Sequence, residues 1–145
     1  MENPLKVGAL AGAGPPPGYA WSVLYLEQAA SEARSFLNEE QYAHAVDLLR
    51  TLAEEVDPRR AQMVQVESVE DFFELKDKGG VLGKINMRVF FIVLPASKAI
   101  VVLGAVKKEA DGKTPTVVRC KIRVRKRRFE KGEFGGLPCV EVKPT

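Results

Sequence analysis

Three residue types are nearly missing from this 145-residue chain: it has two cysteines, Cys120 and Cys139, one histidine, His44, and one tryptophan, Trp21. Two cysteines are too few for a disulfide framework and fit a reducing compartment in which both stay thiols. One histidine and two distant cysteines cannot assemble a metal cluster, so neither a metal nor another cofactor is expected. Long hydrophobic runs are also lacking. The apolar run at residues 89–94 is roughly a third of what a membrane-spanning helix needs. Residues 7–13 are small, follow a single lysine and lead into prolines at 15–17, which makes a poor signal peptide. The expectation is a soluble, cytoplasmic protein with no membrane partner.

What the chain does hold is enough apolar material, 46% of its residues, to bury one core. Its charge is small in total, +3, but segregated along the sequence. Residues 27–77 carry 13 acidic and 5 basic side chains, a net of −8, and residues 107–131 carry 11 basic and 3 acidic ones, a net of +8. A clustered positive field attracts phosphates or acidic protein surfaces whatever the whole-chain balance, so the basic segment predicts an anionic partner.

Residues 1–18, ending in Gly-Ala-Gly-Pro-Pro-Pro-Gly, read as a flexible tail. Trp21, Val23 and Tyr25 alternate with Ser22, Leu24 and Leu26 as a first strand. Leu26, Ala29, Ala30, Ala33, Phe36 and Leu37 then follow helical spacing. A second helix opens at Asn38, which forms a capping-box pattern with Gln41, and runs to Asp57-Pro58. The joint between the two is short enough to predict an antiparallel helical hairpin. Met63 to Val66 could be a short extended piece. The segment Phe72-Phe73-Glu74-Leu75-Lys76 reads as a strand, and the glycines at 79, 80 and 83 read as a turn, lacking the strand-to-helix setting of a phosphate loop. The nearly continuous apolar runs at 88–94 and 99–105, separated by Pro95-Ala96-Ser97-Lys98, predict a β-hairpin covered on both faces.

Thr114-Pro115 offers a helix start, with threonine as cap and proline in the first turn. Val117, Cys120 and Val124 fit a helical face with Val118 and Ile122 beside it, while Cys120, Ile122 and Val124 also alternate as a strand would; the start signal favours helix. Residues 132–145, rich in glycine and proline, are expected to be irregular. Together the elements predict an α+β fold: an N-terminal strand and helical hairpin packed on one face of a small, mainly antiparallel meander sheet, followed by a basic C-terminal helix.

In that order the segments resemble the RelE/ParE/HigB superfamily of toxins from bacterial type II toxin–antitoxin systems, HigB-like members in particular. The residues that carry the resemblance are Trp21-Ser22-Val23-Leu24-Tyr25-Leu26, then Phe73-Glu74-Leu75-Lys76, similar to the family's Tyr-Glu-Leu-Arg strand. Met87-Arg88-Val89-Phe90-Phe91 is similar to Tyr-Arg-Val-Phe-Phe, and Val106-Lys107-Lys108 followed by Thr114-Pro115 to the Lys-Lys and Thr-Pro of HigB-like members. The resemblance implies a RelE-like domain over residues 19–131. It also implies a ribosome-dependent mRNA endonuclease in which a 2′-hydroxyl attacks the neighbouring phosphodiester without metal, and a cognate antitoxin as partner.

Such a reaction needs a base, cations for the pentacovalent phosphate and an acid for the leaving oxygen. The resemblance places Arg88 as the phosphate-contacting arginine, with Lys107 or Lys108 as second cation and Lys76 beside them; the alternative is that Arg88, at the start of a buried strand, only pairs with an acidic residue such as Glu74 across the sheet. Arg88→Ala is then expected to abolish toxicity and leave the fold intact. No tyrosine or histidine follows His44, so Lys84 or Lys107 would have to serve as acid or base. His44 falls off the apolar face and is expected to be exposed and without a role. Lys84, Arg123, Arg125, Arg127 and Arg128 are candidate nucleic-acid contacts. Other readings are a non-catalytic, ParE-like inhibitor of DNA gyrase and a decayed, nucleic-acid-binding homologue.

Overall fold

The computed structural model describes residue 15, residues 18–109 and 113–132, and the backbone of residues 139–142. The expected tail at residues 1–18 falls almost wholly outside them. The elements are β1 (Ser22–Leu26), α1 (Glu27–Phe36), α2 (Glu39–Glu54), β2 (Gln65–Val69), β3 (Phe72–Lys78), β4 (Asn86–Leu94), β5 (Ala99–Lys108), α3 (Thr116–Glu130) and β6 (Cys139–Val142). The fold is α+β: one sheet in the order β2-β3-β4-β5-β1-β6, with three helices. β2 to β5 form an antiparallel meander, whereas β1 pairs with β5 in parallel, Ser22 opposite Ala99 and Tyr25 opposite Val102. Residues 139–142, expected to be irregular, pair antiparallel with β1 instead.

Strand alternation divides the core into two layers. Trp21, Val23, Leu75, Met87, Val89, Phe91, Ile100 and Val102 face α1 and α2, where Ala29, Ala33, Ala45, Leu49, Leu52 and Ala53 meet them. Leu24, Leu26, Phe72, Phe90, Ile92, Val101 and Leu103 face the other way, onto Ile122 and Phe129 of α3. The three helices therefore do not share one face. The basic helix covers the second side, which is why residues 89–94 of β4 and 99–106 of β5 are continuously apolar. Phe72, Phe90, Phe91 and Phe129 are completely buried, each contributing about 1.5–3 kcal/mol of transfer free energy.

Both helices and the capping box between them form as the sequence predicts. Asn38 accepts from the Gln41 N–H at 2.8 Å and the Gln41 side chain accepts from the Asn38 N–H at 3.0 Å, closing the capping box. Trp21 fixes the far end of α2, its indole N–H donating to the Glu55 carbonyl at 3.0 Å.

Helix α3 differs from its sequence reading in two respects. Its cap position is Pro115, with no side-chain cap, because the Thr114 hydroxyl donates to the Glu74 carboxylate instead. Its buried residues are Ile122, Arg125 and Phe129, while Val117 (81% exposed), Cys120 and Val124 (45%) point outward. The face expected to be buried is the solvent face. Phe129 and the aliphatic stem of Arg125 extend the inner stripe that Ile122 begins.

Candidate functional site

Between β2, β3 and the start of α3 lies an open cleft of about 490 Å³. Its floor is Glu74, only 2% exposed, on the α3 side of the sheet because it lies two residues along β3 from Phe72. One Glu74 oxygen accepts from Arg88 Nη1 at 2.7 Å and has Lys76 Nζ at 3.9 Å; the other accepts from Thr114. Register dictates this cluster. Lys76 is opposite Arg88 on β4, and Glu74 is opposite both Glu67 on β2 and Phe90 on β4. Four charged side chains thus project from neighbouring strands on one face.

Above the floor, Lys76 Nζ sits 2.6 Å from the half-exposed Glu67 carboxylate. Lys113 stands exposed at the rim, its carbonyl accepting from Lys108 Nζ at 3.0 Å. Arg119 closes the α3 side: Nη1 donates to Glu70 at 3.2 Å and Nη2 to the Thr116 hydroxyl at 2.9 Å, while its buried Nε–H finds no acceptor among the described residues. A buried donor of this kind calls for an acceptor beyond the described residues, whether chain, water or ligand. The lining pairs Glu67, Glu70 and Glu74 with Lys76, Lys113 and Arg119, so the cleft is near neutral in sum and rich in both donors and acceptors.

The candidate residues read from the sequence scatter more widely than the resemblance implies. Arg88 is 2% exposed and lies under the cleft, in a salt bridge with Glu74 and a weaker contact to Asn86 Oδ1 at 3.4 Å. A phosphate would have to displace Glu74 to reach it. Lys107 and Lys108 diverge: alternation sends Lys107 to the hairpin side, following Ala105, and Lys108 to the α3 side, following Val106. Lys76 is the only one of the four that lines the cleft. Lys84 is exposed in the β3–β4 connection and does not line it.

Most of the basic helix is neutralised from within. Arg125, 8% exposed, gives Nη1 and Nη2 to Glu32 at 2.8 Å each, and Nη1 also to the Leu103 carbonyl at 2.8 Å. Lys121 reaches Glu32 at 3.0 Å, Arg123 Nε reaches Glu70 at 2.9 Å, and Lys126 lies between Asp71 and Glu130. Burial works against ionisation of Glu32, but the Arg125 and Lys121 hydrogen bonds, the Arg125 charge and the Ala105 N–H together hold its pKa below the ordinary value of 4.5. Asp71 is likewise lowered, chiefly by Lys126. The segregated charges of the sequence are therefore largely partners of one another. Arg125 is withdrawn from any ligand and Arg123 is already paired; Arg127 and Arg128 are exposed and make no ion pair with a described residue.

Sequence reasoning reaches Glu74 only as a cross-sheet partner for Arg88, a pairing the structure shows, and misses Thr114 beside it in the floor and Lys113 and Arg119 as the wall. The Thr-Pro pair is the available signal, since a threonine withheld from capping must bond elsewhere. His44 is also not free: its Nε2 lies 2.7 Å from Asp77 Oδ2, tying α2 to β3, with its side chain 31% exposed. Among the described residues no group of histidine, cysteine and carboxylate side chains could hold a metal ion, and no helix is long and apolar enough to cross a membrane. No protein-family model matches the chain, and no curated protein matches it.

Proposed function

We propose that the chain is a RelE/HigB-like toxin that cleaves ribosome-held mRNA, and that the cleft between β3 and α3 receives the scissile dinucleotide. The observation that carries this reading is the cleft itself: about 490 Å³, with Lys76, Lys113 and an Arg119 N–H that has no acceptor among the described residues around a buried polar floor. The 2′-oxygen attacks the adjacent phosphorus, the bond to the 5′-oxygen breaks, and the products are a 2′,3′-cyclic phosphate and a 5′-hydroxyl. Lys76 and Lys113 stabilise charge on the pentacovalent phosphate. Glu67, the accessible carboxylate at the rim, takes the 2′-hydroxyl proton. Lys113 returns a proton to the leaving oxygen. In this scheme Arg88 is a positioning residue, holding Glu74 and through it Thr114.

The burial of Arg88 favours a second reading, a ParE-like toxin that inhibits DNA gyrase by protein contact and cleaves nothing. Induced expression separates the two. Growth arrest with new 5′ ends inside translated mRNA supports the endonuclease. Growth arrest with intact mRNA and lost supercoiling activity supports the gyrase inhibitor. Normal growth would overturn both.

A further inference from the structure

The turn between β2 and β3 breaks a local rule. Val69 pairs with Phe72, so Glu70 and Asp71 make the whole connection, and Glu70 stands at a φ of 54°. Hairpin turns of this length place glycine, asparagine or aspartate where φ is positive, and a glutamate there carries the backbone cost. What Glu70 gains lies at the far end of its side chain. One oxygen accepts from Arg119 Nη1 at 3.2 Å, and the other accepts from Arg123 Nε at 2.9 Å and from its Nη2. Arg119 and Arg123 are four residues apart on α3 and so neighbours on one face. All three side chains are about a third exposed, within reach of a solute. Asp71 is turned to Lys126 at 3.1 Å.

We infer that Arg119 and Arg123 form a binding site for a phosphate monoester, which Glu70 fills as a displaceable internal anion. Two guanidiniums converging on one set of oxygens is the arrangement that holds a phosphate. Exposed ion pairs hold weakly, and the positive φ of Glu70 works against this one. A phosphate monoester carries nearly two negative charges at neutral pH, where the carboxylate carries one. The exchange leaves both guanidiniums with a counter-charge throughout. Arg119 lines the cleft and Arg123 lies one turn further along α3, which places the phosphate on the α3 wall. The inference does not rest on RNA cleavage: no bond is made or broken, and Lys76 and Lys113 take no part.

The test titrates inorganic phosphate into the full chain at fixed ionic strength and follows the guanidinium NMR signals of Arg119 and Arg123. The parent should bind in the millimolar range. Glu70→Gly removes the internal anion and suits the positive φ, and should bind at least about tenfold more tightly, about 1.4 kcal/mol. Glu70→Gln, which keeps the length of the side chain, should also bind more tightly than the parent. Adding Arg123→Gln to Glu70→Gly should abolish the gain. These positions are solvent-accessible, so the fold persists, as circular dichroism will verify. Oligouridine with a 5′-phosphate and the same strand with a 5′-hydroxyl identify the source of the phosphate. Tighter binding of the phosphorylated strand than of inorganic phosphate supports the proposal with an RNA end as ligand; equal or weaker binding supports it with a free phosphate or mononucleotide. Unchanged phosphate affinity in Glu70→Gly, a gain that survives Arg123→Gln, or a 5′-hydroxyl strand that shifts the two arginine signals as strongly as the phosphorylated one would each overturn it.

Discussion

Glu32 of α1 and Arg125 of α3 form a two-pronged ion pair, 2.8 Å at each contact, although their helices lie on opposite faces of the sheet. They can meet because β1 pairs with β5 only as far as Val102, leaving the later residues of β5 with no strand on that side among the described residues. Glu32 occupies the gap and accepts the Ala105 N–H at 3.2 Å, in place of a strand carbonyl. A bulge in the β4–β5 ladder shifts the register at the same level, and Gly104 lies beneath the pair.

The pair predicts an acid-sensitive fold. The folded pKa of Glu32 is lowered from 4.5, so its contribution to stability is fully present above about pH 4.5 and is lost as pH falls through the folded value. Glu32→Gln keeps the shape and removes the charge. Thermal unfolding should show it less stable than the parent at neutral pH, with the difference shrinking below about pH 4.5. A difference independent of pH would mean that the charge contributes nothing.

Gly104 should tolerate no side chain. A Cβ there would stand 2.6 Å from Ile122 Cδ1, 2.8 Å from Arg125 Nη1 and 3.1 Å from Glu32 Oε1. Ile122 can swing aside, but Arg125 is fixed by Glu32 and the Leu103 carbonyl. Gly104→Ala is expected to lose about 1–3 kcal/mol in denaturant unfolding, against the usual gain for replacing a glycine.

Arg88 and Glu74 form a buried pair whose halves are not equivalent to the whole. Removing only the arginine, as in Arg88→Met, leaves a 2%-exposed carboxylate with only the Thr114 hydroxyl and the more distant Lys76 and should cost about 3–5 kcal/mol. Arg88→Ala, expected from the sequence to be a clean activity variant, should therefore unfold rather than report on chemistry. The double variant Arg88→Met with Glu74→Leu removes both charges and should be more stable than Arg88→Met alone; equilibrium unfolding of both measures the coupling. If the single and double variants were equally unstable, Glu74 would not depend on Arg88.

Much of this architecture is legible in the order of the residues. The capping box at Asn38 and Gln41 and the apolar runs of β4 and β5 signal their elements through strictly local chemistry. What stays hidden is relational. The parallel pairing of β1 with β5 leaves no local mark. The inner face of α3 is concealed because Arg125 and Phe129 belong to it, and an arginine reads as surface until its carboxylate partner, 93 residues away, is placed. Arg88 illustrates the same limit for the site. Its position on the strand is plain, but its burial depends on Glu74 and on Thr114 arriving from beyond β5.

Mapping 5′ ends of mRNA in a translating extract tests the central claim most directly, using the parent chain and a Lys76→Met, Lys113→Ala variant that spares the Arg88–Glu74 pair. The account predicts new 5′-hydroxyl ends within coding regions only when ribosomes are translating, reduced at least about tenfold in a variant that remains folded. Uncut mRNA with the parent chain, or cutting unchanged in the variant, would contradict it.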